Sequence, residues 1–515
     1  MPQQESRVKK SLQNARVNLI FYFLSIILAF FSRKIFLDML GADFIGLTST
    51  LQNLLGFLNL AEMGIGMAIG YVLYKPLYEH DQNKINEVIS VFGYMYSWIG
   101  KIILVTGCIL ACFLPMIFSK TSIDLPVIFF AYFSFLFSSL IGYFYNYKQT
   151  LLGADQKNYV VTAYFQTATI IKTLIQMAMA YYFNSYYLWI AIEIAFAILY
   201  SFILNWKINQ VYPWLKSEIR QGRRLFKKYP EIIKYTKQLF IHKISSFAQF
   251  QIVGLLIYAF TTVKLVAYYT NYTLIIDKIF LFLNNFLSST SAGVGNLIAE
   301  GNKSKIIEIF KEFLSLRYIC AGIVCTCLIF LIKPLIILWL GEQYLLSNTA
   351  TAIIIISSFF SLTNGNVLDQ FIFGFGMFND VWSSITNIII NIGASIICGY
   401  MWGLEGVILG GLISTFLIRC IWKPYFLYHW GFKISIFQYI QTITHYTILI
   451  SLSFAGTYLL LKIINYGNTE SFVDFILYSL MVFSIITTLQ LTLFFSTVKQ
   501  SRGLLKRILN VVQKN

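Results

Sequence analysis

Apolar runs of about twenty residues or more, separated by short polar turns, recur from one end of the chain to the other. A helix needs about that length to cross a hydrocarbon layer roughly 30 Å thick. The pattern predicts an all-α polytopic membrane protein of about fourteen transmembrane helices, near residues 15–38, 44–73, 89–118, 124–147, 157–182, 185–206, 238–260, 266–293, 313–339, 348–371, 376–400, 404–427, 438–462 and 471–496. The turns alternate in charge. Arg7 to Arg16, Lys75 to Lys84, Lys148 to Lys157 and Lys207 to Lys237 are basic, whereas Gly41 to Asp43, Lys120 to Asp124, Phe183 to Tyr186 and Met401 to Gly406 are short and carry few cations. Basic turns stay in the cytoplasm, so both termini are expected there.

The spans also carry polar positions at helical spacing. In and before the glycine-rich helix Gly56 to Leu77, the residues Thr48, Gln52, Asn59, Glu62, Gly66 and Gly70 share one face, and Lys75-Pro76 marks where the helix leaves the hydrocarbon. The eighth span repeats the arrangement with Thr270, Thr273, Asp277, Asn284, Ser288, Ser291 and Gly295. Further polar groups are Asn18, Ser25 and Ser32; His242, Ser245, Ser246 and Gln249; Gln166, Thr169 and Thr173; and Asn387 and Asn391. Such stripes either glue helices together or line a polar cavity. Charges within or near spans are Arg33, Lys34, Glu62, Lys101, Lys172, Glu193, Lys243, Asp277, Lys278, Arg317, Asp369 and Arg419. Those near span ends can snorkel to water. The acids Glu62 and Asp277 sit deeper and are candidates either to couple transport to a proton or sodium ion or to tie a neighbouring cation.

The net charge of +17 does not indicate nucleic acid, because the cations cluster at alternate helix ends beside anionic lipid. The seven cysteines all lie in apolar stretches, and the four histidines are scattered without HExxH or Cys/His spacing. No GxxxxGK[ST] loop is present. The chain is therefore not read as an enzyme, and no cofactor or metal is expected.

An offset of 221 residues carries Lys84-Ile85 onto Lys305-Ile306, Gly153 onto Gly374, Val160 onto Val381 and Gln166 onto Asn387. Six spans are thus duplicated in parallel, with two appended, and a parallel repeat places a site between its halves. The expected divisions are a first lobe at 1–206, a basic linker at 207–237, a second lobe at 238–428, two further spans at 429–497 and a basic tail at 498–515. KSEIRQGRRLFKK in the linker reads as a segment on the inner leaflet.

Three stretches resemble one family: SRKIFLDMLGADFIGLTSTLQNLL, LAEMGIGMAIGYVLYKPLYEHDQNKI and LLGADQKNYVVTAYFQT. They look like the O-antigen and capsular repeat-unit flippases of the multidrug/oligosaccharidyl-lipid/polysaccharide (MOP) exporter superfamily. The resemblance implies a V-shaped, MATE-like bundle in a bacterial cytoplasmic membrane that moves undecaprenyl-pyrophosphate-linked oligosaccharides outward by alternating access. A partnership with polysaccharide polymerase machinery fits that role. Cations in the cavity would meet the pyrophosphate, with Arg33, Lys34, Lys172, Lys243, Lys278, Arg317 and Arg419 as candidates. Asn18, Gln52, Asn59, Gln166, Gln249, Thr273, Asn284 and Asn387 would face the sugars. Asp155, Gln156 and Lys157 match the family's ADQK turn, and the second half replaces that turn by FGFGMFND. The alternatives are a cation-coupled multidrug exporter of the same superfamily, which would want an acidic cavity, and a membrane glycan polymerase or ligase, which would want a large external loop.

Overall fold

The computed structural model describes residues 7–59, 65–119, 121–155, 157–233, 236, 252–288, 297–298, 301–375, 377, 380–464 and 471–503. Among these residues there is no strand. The chain folds into two compact units, 1–267 and 268–515.

The first unit holds α1 (Arg7–Leu58), α2 (Ile65–Glu79), α3 (Gln82–Ala111), α4 (Leu125–Phe144), the short α5 (Gln149–Ala154), α6 (Asn158–Phe183), α7 (Tyr186–Val211) and the seven-residue α8 (Ile219–Leu225). Helix α9 (Val263–Ser288) begins in it. The second unit continues with α10 (Lys303–Trp339), α11 (Asn348–Gly374), α12 (Val381–Thr415), α13 (Phe437–Ile464) and α14 (Phe472–Thr497). Two π-helical stretches, Phe416–Trp422 and Leu427–Phe432, prolong α12 through Lys423–Phe426. Nine helices among the described residues are long and apolar enough to cross a membrane. Helices α6 and α9 fall outside that set, because they carry much of the polar stripe material.

Two expected turns are single-residue breaks. Gly41, at φ 83° and ψ 164°, divides α1, and Gly403, at φ 57° and ψ −125°, divides α12. Side chains with a Cβ resist positive φ, so glycine allows two spans to meet without a longer loop. The turn expected at Lys75 to Lys84 starts later: helix α2 runs to Glu79 with Pro76 inside it. It ends at His80, whose φ of 55° is left-handed, and the Asp81 amide closes the turn on the Pro76 carbonyl at 3.0 Å.

The repeat is visible in the helix caps. Asp81 accepts from the Lys84 amide at 3.0 Å to start α3, and Asn302 accepts from the Lys305 amide at 3.1 Å to start α10. A short polar side chain there satisfies one of the amides that a helix start leaves open.

In the first unit α1 packs on α6, α4 on α7, and α6 on α7. In the second, α10 lies against α11 and α14, and α11 against α12. The second core is aromatic: the Phe310 ring lies 5.2 Å from Phe371, 5.1 Å from Phe432 and 5.9 Å from Tyr428. Large apolar side chains such as Phe202, Ile463 and Leu480 stay exposed on α7, α13 and α14, as lipid-facing positions should.

Close approach is built on glycine where α1 meets the start of α9. A Cβ on Gly46 would lie 1.9 Å from the Val263 carbonyl oxygen. The obstacle is backbone, so relief would need helix movement. Gly46→Ala is expected to cost about 3 kcal/mol, read as a fall in Tm and in monodisperse yield of the purified protein.

Candidate functional site

Each unit brings its own polar groups together. In the first, a cavity of about 300 Å³ is lined by Asn146, Gln149, Val161, Thr162, Phe165, Gln166 and Tyr200. Helix α6 supplies Thr162 and Gln166 one turn apart, so both face the same side. Asn146 is held by donors from Ser201 at 2.7 Å and Asn205 at 3.0 Å. Gln149, Thr162, Gln166 and the Tyr200 hydroxyl have no hydrogen-bond partner among the described residues. The Phe165 and Tyr200 rings meet edge to face at 5.3 Å. The lining is uncharged, with amides, hydroxyls and an aromatic pair, which suits a polar, uncharged ligand.

Further along α6, the Lys172 ammonium meets the Glu193 carboxylate of α7 at 2.6 Å. Gln176 donates to the other Glu193 oxygen at 3.1 Å and to the Trp189 carbonyl at 3.1 Å. This charge is paired within the unit. Arg33 donates to the Ala267 carbonyl at 3.1 Å, and Lys34 pairs with Asp38 at 3.1 Å on an exposed surface. Asn59 accepts from Ser139 and Tyr143, each at 3.1 Å, whereas Gln52 is exposed. Glu62, Lys243 and Gln249 lie outside the described residues, as do the side chains of Asn18 and Asn284.

The ADQK turn is pinned to the end of α7. Asp155 accepts from the Tyr212 hydroxyl at 2.8 Å and pairs with Lys157 at 2.7 Å, and Lys157 lies 5.0 Å above the Tyr212 ring. Burial, then the Asp155 charge, push the Tyr212 hydroxyl above its ordinary value, so it remains a donor at physiological pH. Tyr212→Phe is expected to cost about 1 kcal/mol, read as a fall in Tm relative to the wild type that is the same at pH 6 and pH 9, both below the ordinary tyrosine value of about 10. The second turn, FGFGMFND, keeps one acid: Asp380 accepts from the Trp422 indole N–H at 2.8 Å.

In the second unit Arg317 of α10 is 3% exposed. Its Nη1 donates to the Leu362 carbonyl of α11 at 3.4 Å, and its Nη2 has no partner. Asp369 of α11 is paired with Lys423. Arg419, on the π-helical stretch, sits at the same level of α11: a Cβ on Gly365 would lie 2.8 Å from its Nη1. No hydrogen bond or ion pair holds Arg419 among the described residues. On α12, Asn391 donates to Ser414 at 3.1 Å, while the side-chain oxygens of Asn387 and Asn391 are buried without donors. On α9, Asp277 is exposed, Lys278 is half-buried beside it, and the Thr273 hydroxyl donates to the Thr270 carbonyl at 3.4 Å.

No family model and no curated protein matches the chain. Several solved structures are similar in fold. One is the lipid II flippase MurJ in an inward closed conformation, at TM-score 0.65 and 15% identity, covering 93% of this chain and 99% of that one. Another is a multidrug resistance MATE family transporter of the MOP superfamily in its inward-facing conformation, at TM-score 0.59 and 13% identity, covering 79% of this chain and 96% of that one. The fold is therefore all-α and MATE-like, as in these two solved structures.

Proposed function

We propose that this protein is a flippase that carries a polyprenyl-pyrophosphate-linked oligosaccharide from the inner to the outer leaflet of a bacterial cytoplasmic membrane, by alternating access, for O-antigen, capsule or exopolysaccharide assembly. The observation that carries the reading is the residual charge within the units. Lys172 is cancelled by Glu193, Asp369 by Lys423, and Asp277 has Lys278 beside it. Among the candidate cations named above that the structure describes, Arg317 Nη2 and Arg419 are left without a hydrogen bond or ion pair. Guanidinium groups suit a pyrophosphate through paired N–H donors. A carrier of cationic drugs would need the opposite balance. The uncharged cavity on α6 supports contact with a sugar. Asp277 and Glu62 remain our candidates for proton or sodium coupling, and the lobes, linker and cytoplasmic termini are proposed with the boundaries given above.

The test is a deletion strain in which lipid-linked oligosaccharides are extracted and assigned to a leaflet. Build-up of complete repeat units on the cytoplasmic side, relieved by the wild-type gene and not by Arg33→Ala, is expected. Normal outward delivery with unpolymerised glycan would point to an enzyme instead, and altered drug tolerance alone to a drug exporter.

A further inference from the structure

The longest polar connection of the first unit is not loose. Its Lys216 amide donates to Asn86 of α3 at 2.8 Å, and its Glu218 amide donates to Ser90 at 2.9 Å. Ser217 and Tyr147 share a hydrogen bond of 3.3 Å. Helix α8 lies so close to α3 that a Cβ on Gly222 would stand 2.2 Å from the Ser90 carbonyl oxygen. Ile219, Gly222 and Leu225 face α3 at spacing three. Arg220, Arg223, Arg224 and Lys227 therefore fall on the opposite face, and all four are exposed.

None of these four cations has a hydrogen bond or ion pair among the described residues. Two nearby acids are engaged elsewhere: Glu87 takes Lys228 and Tyr229, each at 2.6 Å, and Glu218 accepts from Gln221 at 2.7 Å. Burial, and after it Glu87, push the Tyr229 hydroxyl above its ordinary value, so it stays a donor to that acid.

The depth of the strip follows from helix length. At 30 residues, α3 is about 45 Å long, against a hydrocarbon core of about 30 Å. About ten residues project beyond the core, and α8 packs on the polar end, at residues 86–94. The strip is thus held level with lipid headgroups. Trp206, 58% exposed, and Trp214 precede the strip in the sequence, residues of the kind that anchor at a membrane interface.

We propose that the exposed face of α8 and the residues just after it is a docking surface for the phosphate headgroups of anionic phospholipids in the adjoining leaflet. A fixed row of unpaired cations at that level attracts anionic lipid, and the α3 clamp makes the attraction a restraint on the first unit. The inference does not depend on which substrate is carried.

The experiment uses purified full-length protein in detergent micelles, titrated with phosphatidylglycerol or phosphatidylcholine and read by native mass spectrometry. The wild type is expected to retain phosphatidylglycerol selectively. R220Q/R223Q/R224Q/K227Q is expected to retain it about tenfold less well at unchanged Tm. If that variant does not fold, R223Q/R224Q is read in its place, with a smaller loss in the same direction. Equal retention by variant and wild type overturns the proposal, and so does an equal loss in the control K303Q/K433Q. Displacement by millimolar inorganic phosphate would make the strip a small-anion site. Selective displacement by undecaprenyl phosphate would assign it to a polyprenyl carrier. Either result also overturns it.

Discussion

Replacing Glu193 by Met is expected to lower stability by about 3 kcal/mol, and replacing Lys172 by Met by somewhat less, while the double variant K172M/E193M recovers most of the loss. The pair lies between α6 and α7 with side chains only 19% and 21% exposed. Lys172 is 14 residues into the 26-residue α6, near the middle of a span, where an unpaired charge is costly. The order of the single variants follows from the hydrogen bonds. Without Lys172, the Glu193 carboxylate keeps the Gln176 amide at 3.1 Å. Without Glu193, the ammonium keeps no partner among the described residues. Two methionines fill a similar volume and leave no buried charge, so the penalty disappears with the pair. Thermal unfolding in micelles measures all three. A double variant as unstable as the sum of the singles would mean that the two residues act separately.

That ion pair also shows how far the residues could be read unaided. The apolar runs fixed span positions because backbone polar groups in lipid leave little choice but helix, and Gly41 and Gly403 fall inside the short turns expected from charge. The pairing of Lys172 with Glu193 was open to inference: they are opposite charges on consecutive helices, within one helical turn of equal distance from the turn at Asn184, whose φ is 45°, and in an antiparallel hairpin such residues come within reach. Asp369 and Lys423 offered no such signal, since a helix broken at Gly403 and continued with π-helical turns separates them. Helical spacing grouped Gln166 with Thr169 and Thr173, but not with Asn146, Gln149 and Tyr200, which come from other elements. The caps Asp81 and Asn302 were legible as a repeat only once Lys84 and Lys305 were seen to start matching helices. The linker's attachment to α3 rests on Asn86 and Ser90, small polar residues that no periodicity singles out.

Arg317→Met is expected to leave the fold intact, with Tm equal to or above that of the wild type, while the outward delivery of lipid-linked glycan that the proposed function calls for falls at least about tenfold, a loss of roughly 1.4 kcal/mol in transport free energy. The two halves of that statement have one cause. A guanidinium 3% exposed, holding one long bond to Leu362 and leaving Nη2 empty, has lost its water without full compensation. Its removal does not strand an acid, because Asp369 retains Lys423. Methionine fills the space of the aliphatic stem, so stability has little to lose. A residue kept at a cost to stability is retained for something the resting fold does not use. Helices α10 and α11 must part for an anion to reach Nη2, as the rearrangement of a transport cycle allows. Arg317→Lys separates charge from geometry: a point charge would restore part of the delivery, but not the paired donors that a pyrophosphate can occupy. A methionine variant that transports normally would remove Arg317 from the substrate's path. One that unfolds would make the Leu362 contact its whole purpose.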